Sequence, residues 1–473
     1  MYFDKVLQRG TNTAMTTTLI RGGTVVLGQS VAQGDVLIRD ETIAAVGDLR
    51  DAAAGAIDTV IDAGGLLVLP GGVDTHVHFN DVFMNTVSVH DYASGTRAAA
   101  FGGTTSVIDF SNQEPGATLM STLDAKHAEA AGKALIDWGV HPVITQPTDA
   151  TLAEIPLVVD AGAPTIKIYM TYRQEGLLIE EPEMRRILAG LRDAGGMMLV
   201  HAEDNDMAEA SIPGFLARGQ TAPIFHAESK PKAVENRAMQ RCIDVVRAVG
   251  GRLFVVHMTT SEGVEMIARA RAEGLDILAE TCTHYLVFTD DMLRRPDGIK
   301  WICSPPLRQQ ADQDALWQGL RDGRVVQVTS DDAAYSWEAT CYGQERFDLC
   351  PNGMPGIEPR FQLLYSEGVA KGRISLPRFV EIVATNPARI FGMQGKGALL
   401  PGYDADIVLL DPTASWTMGQ AASHSPNDWH AYEGRAITGK IAKVFSRGEL
   451  IIDGNECLAE PGRGRYLKRV LPQ

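Results

Sequence analysis

The chain has 473 residues, 45% of them hydrophobic and 22% charged, with a formal net charge of -16. That length exceeds one ordinary core, so it calls for several domains or for one large barrel with an appended lobe. The acidic balance opposes a nucleic-acid partner or an anionic membrane surface, and no apolar run approaches the roughly 18 residues that would span a bilayer. Without a signal-peptide pattern at the N-terminus, and with six cysteines scattered without CxxC spacing, the expectation is a cytoplasmic protein with reduced thiols.

Residues 1–15 read as a disordered extension that ends at a second methionine, Met15. From 16 to 69 the pattern is short β-rich runs broken by glycine, such as Thr24-Val25-Val26-Leu27 and Asp35-Val36-Leu37-Ile38. The same texture returns over 397–457, in Ala405-Asp406-Ile407-Val408-Leu409-Leu410 and in Glu449-Leu450-Ile451-Ile452. Both segments are expected to build one small β-sandwich, and 458–473 is left as a C-terminal tail.

Between them, over 70–396, apolar strand-like runs alternate with helical stretches. The runs are Leu66 to His78, Thr104 to Phe110, Gly139 to Thr145, Thr165 to Met170, Met197 to His201, Leu253 to His257, Ile277 to Thr281 and Val325 to Ser330. Buried parallel strands are continuous apolar segments, and eight of them alternating with helices predict an α/β fold, a TIM (β/α)8 barrel.

The residues with chemistry in them sit at or near the C-terminal ends of these runs, where barrel active sites are built. His76 and His78 are alternate residues of one strand and share a face, so they can offer two imidazoles to one ion. Lys167 stands alone in the apolar run Thr165-Ile166-Lys167-Ile168-Tyr169-Met170. An unpaired ammonium there would be costly, and a neutral amine can add carbon dioxide to become an anionic carbamate that bridges two metals. His201 and His257 each terminate a further run. Asp331, in Val328-Thr329-Ser330-Asp331-Asp332, can ligate a metal and carry a proton; strand alternation leaves Asp332 open as the competing residue. His284 follows the seventh run and is assigned a structural role.

With these residues in view, the chain resembles the amidohydrolase superfamily, and within it the dihydropyrimidinase and hydantoinase branch. The resemblance spans Met15 to about Arg469. It is carried by Pro70-Gly71-Gly72-Val73-Asp74-Thr75-His76-Val77-His78, by Ser94 through Thr105, by Ser304-Pro305-Pro306-Leu307-Arg308, by Pro351-Asn352-Gly353 and by Asn386-Pro387-Ala388-Arg389-Ile390-Phe391-Gly392.

The resemblance implies a two-metal hydrolase. His76 and His78 would bind the first ion, His201 and His257 the second, Lys167 as N6-carboxylysine would bridge both, and Asp331 would be a first-metal ligand and proton shuttle. Two divalent ions, zinc by family preference, and carbon dioxide or bicarbonate for the lysine are the implied cofactors. Tyr172 matches the family's oxyanion donor, and Ser304 and Asn352 match positions that hold the cyclic-amide edge of the substrate. A bridging hydroxide would open a dihydropyrimidine or a 5-substituted hydantoin to an N-carbamoyl amino acid, in a homotetramer.

The sequence departs from the family pattern in two places. Asp332 replaces the histidine usual after the catalytic aspartate, and Phe79 through Thr86 differs in detail. Asn80 stands where dihydroorotases have arginine, which opposes a carboxylated ring. Allantoinase and cyclic imide hydrolase remain as alternatives. A non-catalytic scaffold, like the dihydropyrimidinase-related proteins that lose metal ligands, is opposed by the survival of all six positions.

Overall fold

The computed structural model describes residues 16–49 and 57–472; the expected extension over 1–15 lies outside them. The eight apolar runs form the centre of the molecule. Seven strands make one wholly parallel sheet, in the order Gly72–Val77, Thr104–Asn112, Asp137–Val143, Thr165–Tyr169, Met197–His201, Arg252–Val255 and Ile277–Ala279. The seventh run continues as Thr281–Cys282, which pairs in parallel with Val328–Thr329 of the eighth. A parallel bridge from Asp332 to Val77 then links the eighth run back to the first, and the His78 amide donates to the Asp332 carbonyl at 2.9 Å. The result is a TIM-like barrel.

The barrel's interior and its outside are packed by different side chains. Val73, Ile108, Phe110, Val143, Leu199, Phe254 and Val256 fill the inside and are all 2% exposed or less. Large residues pointing inward from neighbouring strands make a barrel a packed core, not a pore. Phe391, Met393 and Leu471 join this cluster. The second residue set, including Ile166, Ile168, Met198 and Val200, belongs to a separate cluster with the helices, among them Ile187, Leu188 and Leu191 of the helix Glu181–Ala194. Strand alternation thus assigns Lys167 to the interior and its neighbours Ile166 and Ile168 to the helix layer.

The two terminal segments meet in a single nine-stranded sheet. The strand Leu67–Pro70 is the seam. It runs parallel to Thr17–Leu27, with Thr24 opposite Leu67, and antiparallel to Ile407–Met418, with Ile407 opposite Pro70 and Leu410 opposite Leu67. The run expected as one barrel strand from Leu66 to His78 is therefore two strands in two different sheets. Gly71 is the joint, because a Cβ there would lie 2.2 Å from Thr105 Oγ1, so only glycine allows the chain to cross this closely.

The C-terminal tail is docked on the barrel. Trp138 accepts from Leu467 and donates to Arg465 through its backbone, and the buried Arg469 donates through Nη2 to the Val140 carbonyl and to Thr165 Oγ1. Among the described residues no helix is long and apolar enough to cross a membrane.

Candidate active site

The C-terminal ends of the barrel strands converge on a cavity of about 50 Å³. Every metal, catalytic or substrate-binding residue expected from the sequence lines it: His76, His78, Lys167, Tyr172, His201, His257, Ser304, Asp331 and Asn352. In-register pairing explains part of this convergence. Lys167 lies opposite Leu199 and Tyr169 opposite His201, so the inward face of one strand continues directly onto the next.

Three of these residues hold a left-handed backbone: Tyr172 at φ 64°, His257 at φ 41° and Asp331 at φ 50°. Side chains other than glycine rarely adopt this region, and it costs free energy. Each lies just beyond a strand end, where the bend redirects a side chain into the cavity. The same bend separates the two adjacent aspartates. Asp331 Oδ1 faces the histidines, 3.0 Å from His76 Nε2 and 3.5 Å from His78 Nε2. Asp332 turns away and is fully buried; its Oδ2 meets His90 Nδ1 at 2.6 Å and its Oδ1 accepts from the amides of Gly356 and Ile357. Of the pair, Asp331 is the one whose carboxylate faces the cavity.

Several buried polar atoms of the cavity-lining residues have no hydrogen-bond partner: Lys167 Nζ, His257 Nδ1 and His76 Nε2, the last close to Asp331 but not aligned with it. Such orphans are rare because each forfeits its hydration. Lys167 is 0% exposed, and its Nζ lies over the rings of Phe110 and Tyr169, at 4.7 and 4.8 Å. Burial, only partly offset by Asp331 and Glu280, brings its amine down to about 8. Burial also lowers His257 well below the usual imidazole range, with His201 adding to the effect, so the His257 imidazole is held in the neutral form that a metal needs and the Lys167 amine loses its proton more readily than an ordinary lysine. Burial would lower His78 as well, yet contacts with Asp331 and Asp81 raise it to about 9. Burial would raise Asp331, but His76 and His78 hold it well below the carboxylate range. The donor set of four imidazoles, one amine and one carboxylate suits a divalent ion of borderline hardness.

A ring of supporting groups escaped the sequence reading. Glu280 Oε1 meets His76 Nδ1 at 2.7 Å, Asp81 Oδ2 meets His78 Nδ1 at 2.8 Å, and Glu203 Oε2 meets His201 Nε2 at 2.8 Å. The carboxylates on His76 and His78 hold Nδ1 and leave Nε2 facing inward. Glu280 was findable by the argument that singled out Lys167, since it is a lone acid in an apolar run. Asp81 sits in a loop and gave no such signal. Glu203 also accepts from Ser304 Oγ at 2.7 Å, and Lys230 donates to the same hydroxyl. Burial opposes ionisation of Glu203, but Lys230, His201 and Ser304 together hold it strongly acidic.

Close to these groups, Asn352 Nδ2 donates to the Tyr172 hydroxyl at 3.2 Å. Burial, with Glu203 nearby, raises the phenol far above its ordinary range, so it remains a proton donor. The departing segment Phe79 to Thr86 contains a hairpin, Val82–Phe83 with Thr86–Val87, closed by Met84 and Asn85 at φ 47° and 59°, as a two-residue turn requires. It sets the Phe83 ring edge-on to Tyr172 at 4.9 Å. A second cavity of about 220 Å³ shares Tyr172 and Asn352 and is lined by Ile212, Lys230 and Phe347 among others.

The pattern of the Amidohydrolase family matches residues 67–451. A D-hydantoinase from Ralstonia pickettii is 39% identical over 455 residues, covering 95% of this chain and 98% of its own. Among solved structures, a dihydropyrimidinase from Brevibacillus agri superposes with a TM-score of 0.93 at 38% identity, over 97% of this chain and 100% of that one. An L-hydantoinase from Arthrobacter aurescens gives 0.89 at 28% identity, over 96% and 99%.

Proposed function

We propose, for a chain that belongs to the amidohydrolase family and to its hydantoinase and dihydropyrimidinase branch, hydrolytic opening of a ring C–N bond in a 5-substituted hydantoin or a dihydropyrimidine, giving an N-carbamoyl amino acid. The observation that carries this reading is the convergence of four imidazoles, a buried partnerless lysine and one carboxylate on a single cavity.

Two divalent ions, zinc by preference, would be held by His76 and His78 on one side and by His201 and His257 on the other, with Asp331 joining the first and Lys167, carboxylated by carbon dioxide, between them. When bound, such ions acidify water and polarise a carbonyl. The remaining work falls to the protein. Asn352 occupies the lone pair of the Tyr172 oxygen, which frees the phenolic hydrogen for the carbonyl oxygen as negative charge develops. Asp331 is a carboxylate at neutral pH and accepts the proton of the attacking water; the oxygen adds to the ring carbon, the C–N bond breaks, and Asp331 returns the proton to the departing nitrogen. Ser304, fixed by Glu203 and Lys230, and Asn352 border the face where the planar amide edge would lie. Phe83, Tyr335 and Met354 close the apolar side.

The second cavity beyond Tyr172 gives a ring substituent somewhere to go, which favours substituted hydantoins over an unsubstituted ring. The higher identity to a D-hydantoinase than to the L-hydantoinase favours the D hand. The nine-stranded sheet is read as a sandwich folded on itself, because Ile20, Val36 and Val68 share one core with Ile407, Leu409 and Phe445. A cytoplasmic location and a homotetramer are further parts of this reading, the latter tested by light scattering.

The direct test follows the ring absorbance of D- and L-5-substituted hydantoins, dihydrouracil, a cyclic imide and allantoin with zinc- and bicarbonate-loaded enzyme, using Asp331→Asn as the silent control. Turnover of the D-hydantoin first and dihydrouracil second is expected. Turnover of allantoin or the imide alone would replace the substrate class, and an active Asp331→Asn enzyme would remove the proton shuttle.

A further inference from the structure

Asp332, the aspartate that turns away from the metal cavity, anchors a second constellation that ring opening does not use. The buried His90 meets Asp332 Oδ2 through Nδ1 at 2.6 Å and Ser425 Oγ through Nε2 at 2.7 Å. Ser425 is half-buried and lies between the strands Ile407–Met418 and Arg435–Ser446. The three residues border a small cavity of about 10 Å³, walled also by Ile357, Trp429 and His430. None of its described lining residues is shared with the metal cavity.

We infer that Ser425, His90 and Asp332 form a second hydrolytic site, a serine nucleophile with its base and an orienting carboxylate, which takes small acyl esters. Such a site is recognised by geometry and roles, whatever the fold and chain order. Burial opposes ionisation of Asp332, yet His90 and the amides of Gly356 and Ile357 hold it below the usual carboxylate range. The carboxylate therefore takes the Nδ1 proton of neutral His90 and leaves Nε2 to accept from the Ser425 hydroxyl. The hydroxyl is held in place, because its oxygen accepts from the Asn427 amide at 3.1 Å and the Ser425 amide donates to Ser423 Oγ at 3.2 Å. Ser423 in turn donates to Glu358.

The cavity also supplies a donor for developing charge. His430 Nδ1 accepts from the Tyr432 amide at 3.1 Å, and burial lowers the ring below the usual imidazole range. Its single proton therefore sits on Nε2, a neutral donor for an acyl oxyanion. In the reaction Ser425 Oγ adds to the ester carbonyl carbon and its proton passes to His90 Nε2. The C–O bond to the alcohol breaks, and the leaving alkoxide takes that proton. Water, deprotonated by the same ring, then cleaves the acyl-serine to the free acid. So small a cavity admits an acetyl group and leaves the alcohol in solvent.

The test mixes metal-loaded enzyme with p-nitrophenyl acetate and follows p-nitrophenolate, with peptide mass spectrometry to locate the acetyl group. Mildly alkaline buffer is used, because burial would lower His90 but Asp332, Glu358 and Asp91 raise it, and only the neutral ring takes the proton. A burst of one p-nitrophenolate per chain, acetyl on Ser425 and a slower reaction with the octanoate ester are expected. S425A should abolish burst and label while hydantoin opening is unchanged, and H90Q should slow the burst by about 100-fold or more through loss of the base. D331N should leave the burst intact, which separates this site from ester cleavage at the metal centre. Acetyl on another residue, ester turnover that survives S425A, or turnover lost in D331N would each overturn the site, as would a burst unchanged in H90Q. If H90Q folds poorly by circular dichroism, methanesulfonyl fluoride on the unmodified enzyme decides: fluoride leaves as the sulfonyl group joins an activated serine, and a label elsewhere than Ser425, or none, overturns the assignment.

Discussion

The barrel's C-terminal rim and the terminal lobe obey opposite rules. In the lobe, strands pair in long registers, such as the nine residue pairs between Thr17–Leu27 and Ser30–Arg39, and the left-handed positions fall mostly on glycines in turns. At the rim, left-handed backbone falls on Tyr172, His257 and Asp331, and buried donors such as Lys167 Nζ lack partners. Local rules are broken where function needs side chains aimed at a shared point and kept elsewhere. Rim substitutions should therefore remove activity with little loss of stability, and lobe substitutions the reverse.

The largest effect belongs to Lys167→Ala. Metal content should fall to background and turnover by about 10⁴-fold or more, while thermal stability is unchanged or higher, since a partnerless buried amine is gone. Retained metal would remove the lysine from the centre. The pH dependence has a definite sign. Only the neutral amine adds carbon dioxide, and burial lowers Lys167 to about 8. Loading of metal-free enzyme in bicarbonate should therefore increase as pH rises through 8 and fail near 6, as measured by metal analysis. An unmodified lysine near 10.5 would shift that rise upward by more than two pH steps.

Tyr172→Phe comes next. Loss of a single oxyanion donor should lower kcat by about 100-fold with KM little changed, and metal content should stay intact. A rise in KM alone would reduce Tyr172 to a wall of the cavity. Glu280→Gln should act more gently. The amide can still hold His76 Nδ1 but loses the carboxylate's charge, so metal affinity should weaken by about 10-fold, read by competition with a chelator. An effect on kcat without one on affinity would place Glu280 outside the support of His76.

How much of this was legible in the sequence follows the same division. The barrel could be read because its strands are continuous apolar runs, and the six principal site residues because charged or imidazole side chains interrupt or terminate those runs. The split of Leu66 to His78 into two strands was hidden, since the apolar character runs unbroken through Pro70 and Gly71 and only a tertiary contact, Gly71 against Thr105, divides it. The choice between Asp331 and Asp332 was hidden because it depends on one left-handed backbone angle. Asp81 and Lys230 were hidden because they come from loops and helix termini with no period to stand out against.

The smallest effect on catalysis belongs to the lobe, and it tests the other half of the comparison. Gly448 closes the turn between Arg435–Ser446 and Glu449–Asp453 with φ 75°, and a Cβ there would lie 1.9 Å from the Asp40 carbonyl oxygen. Its amide also donates to the Ala405 carbonyl at 3.0 Å. Gly448→Ala therefore adds left-handed strain and a clash with backbone that cannot rotate away, a cost on the order of 2 kcal/mol or more. The melting temperature should drop by several degrees while kcat/KM of the folded enzyme and its metal content stay at the original values. Loss of activity in step with stability would mean that the lobe and the rim share one cooperative unit through the seam at Leu67–Pro70, and that positioning of His76 is transmitted along it.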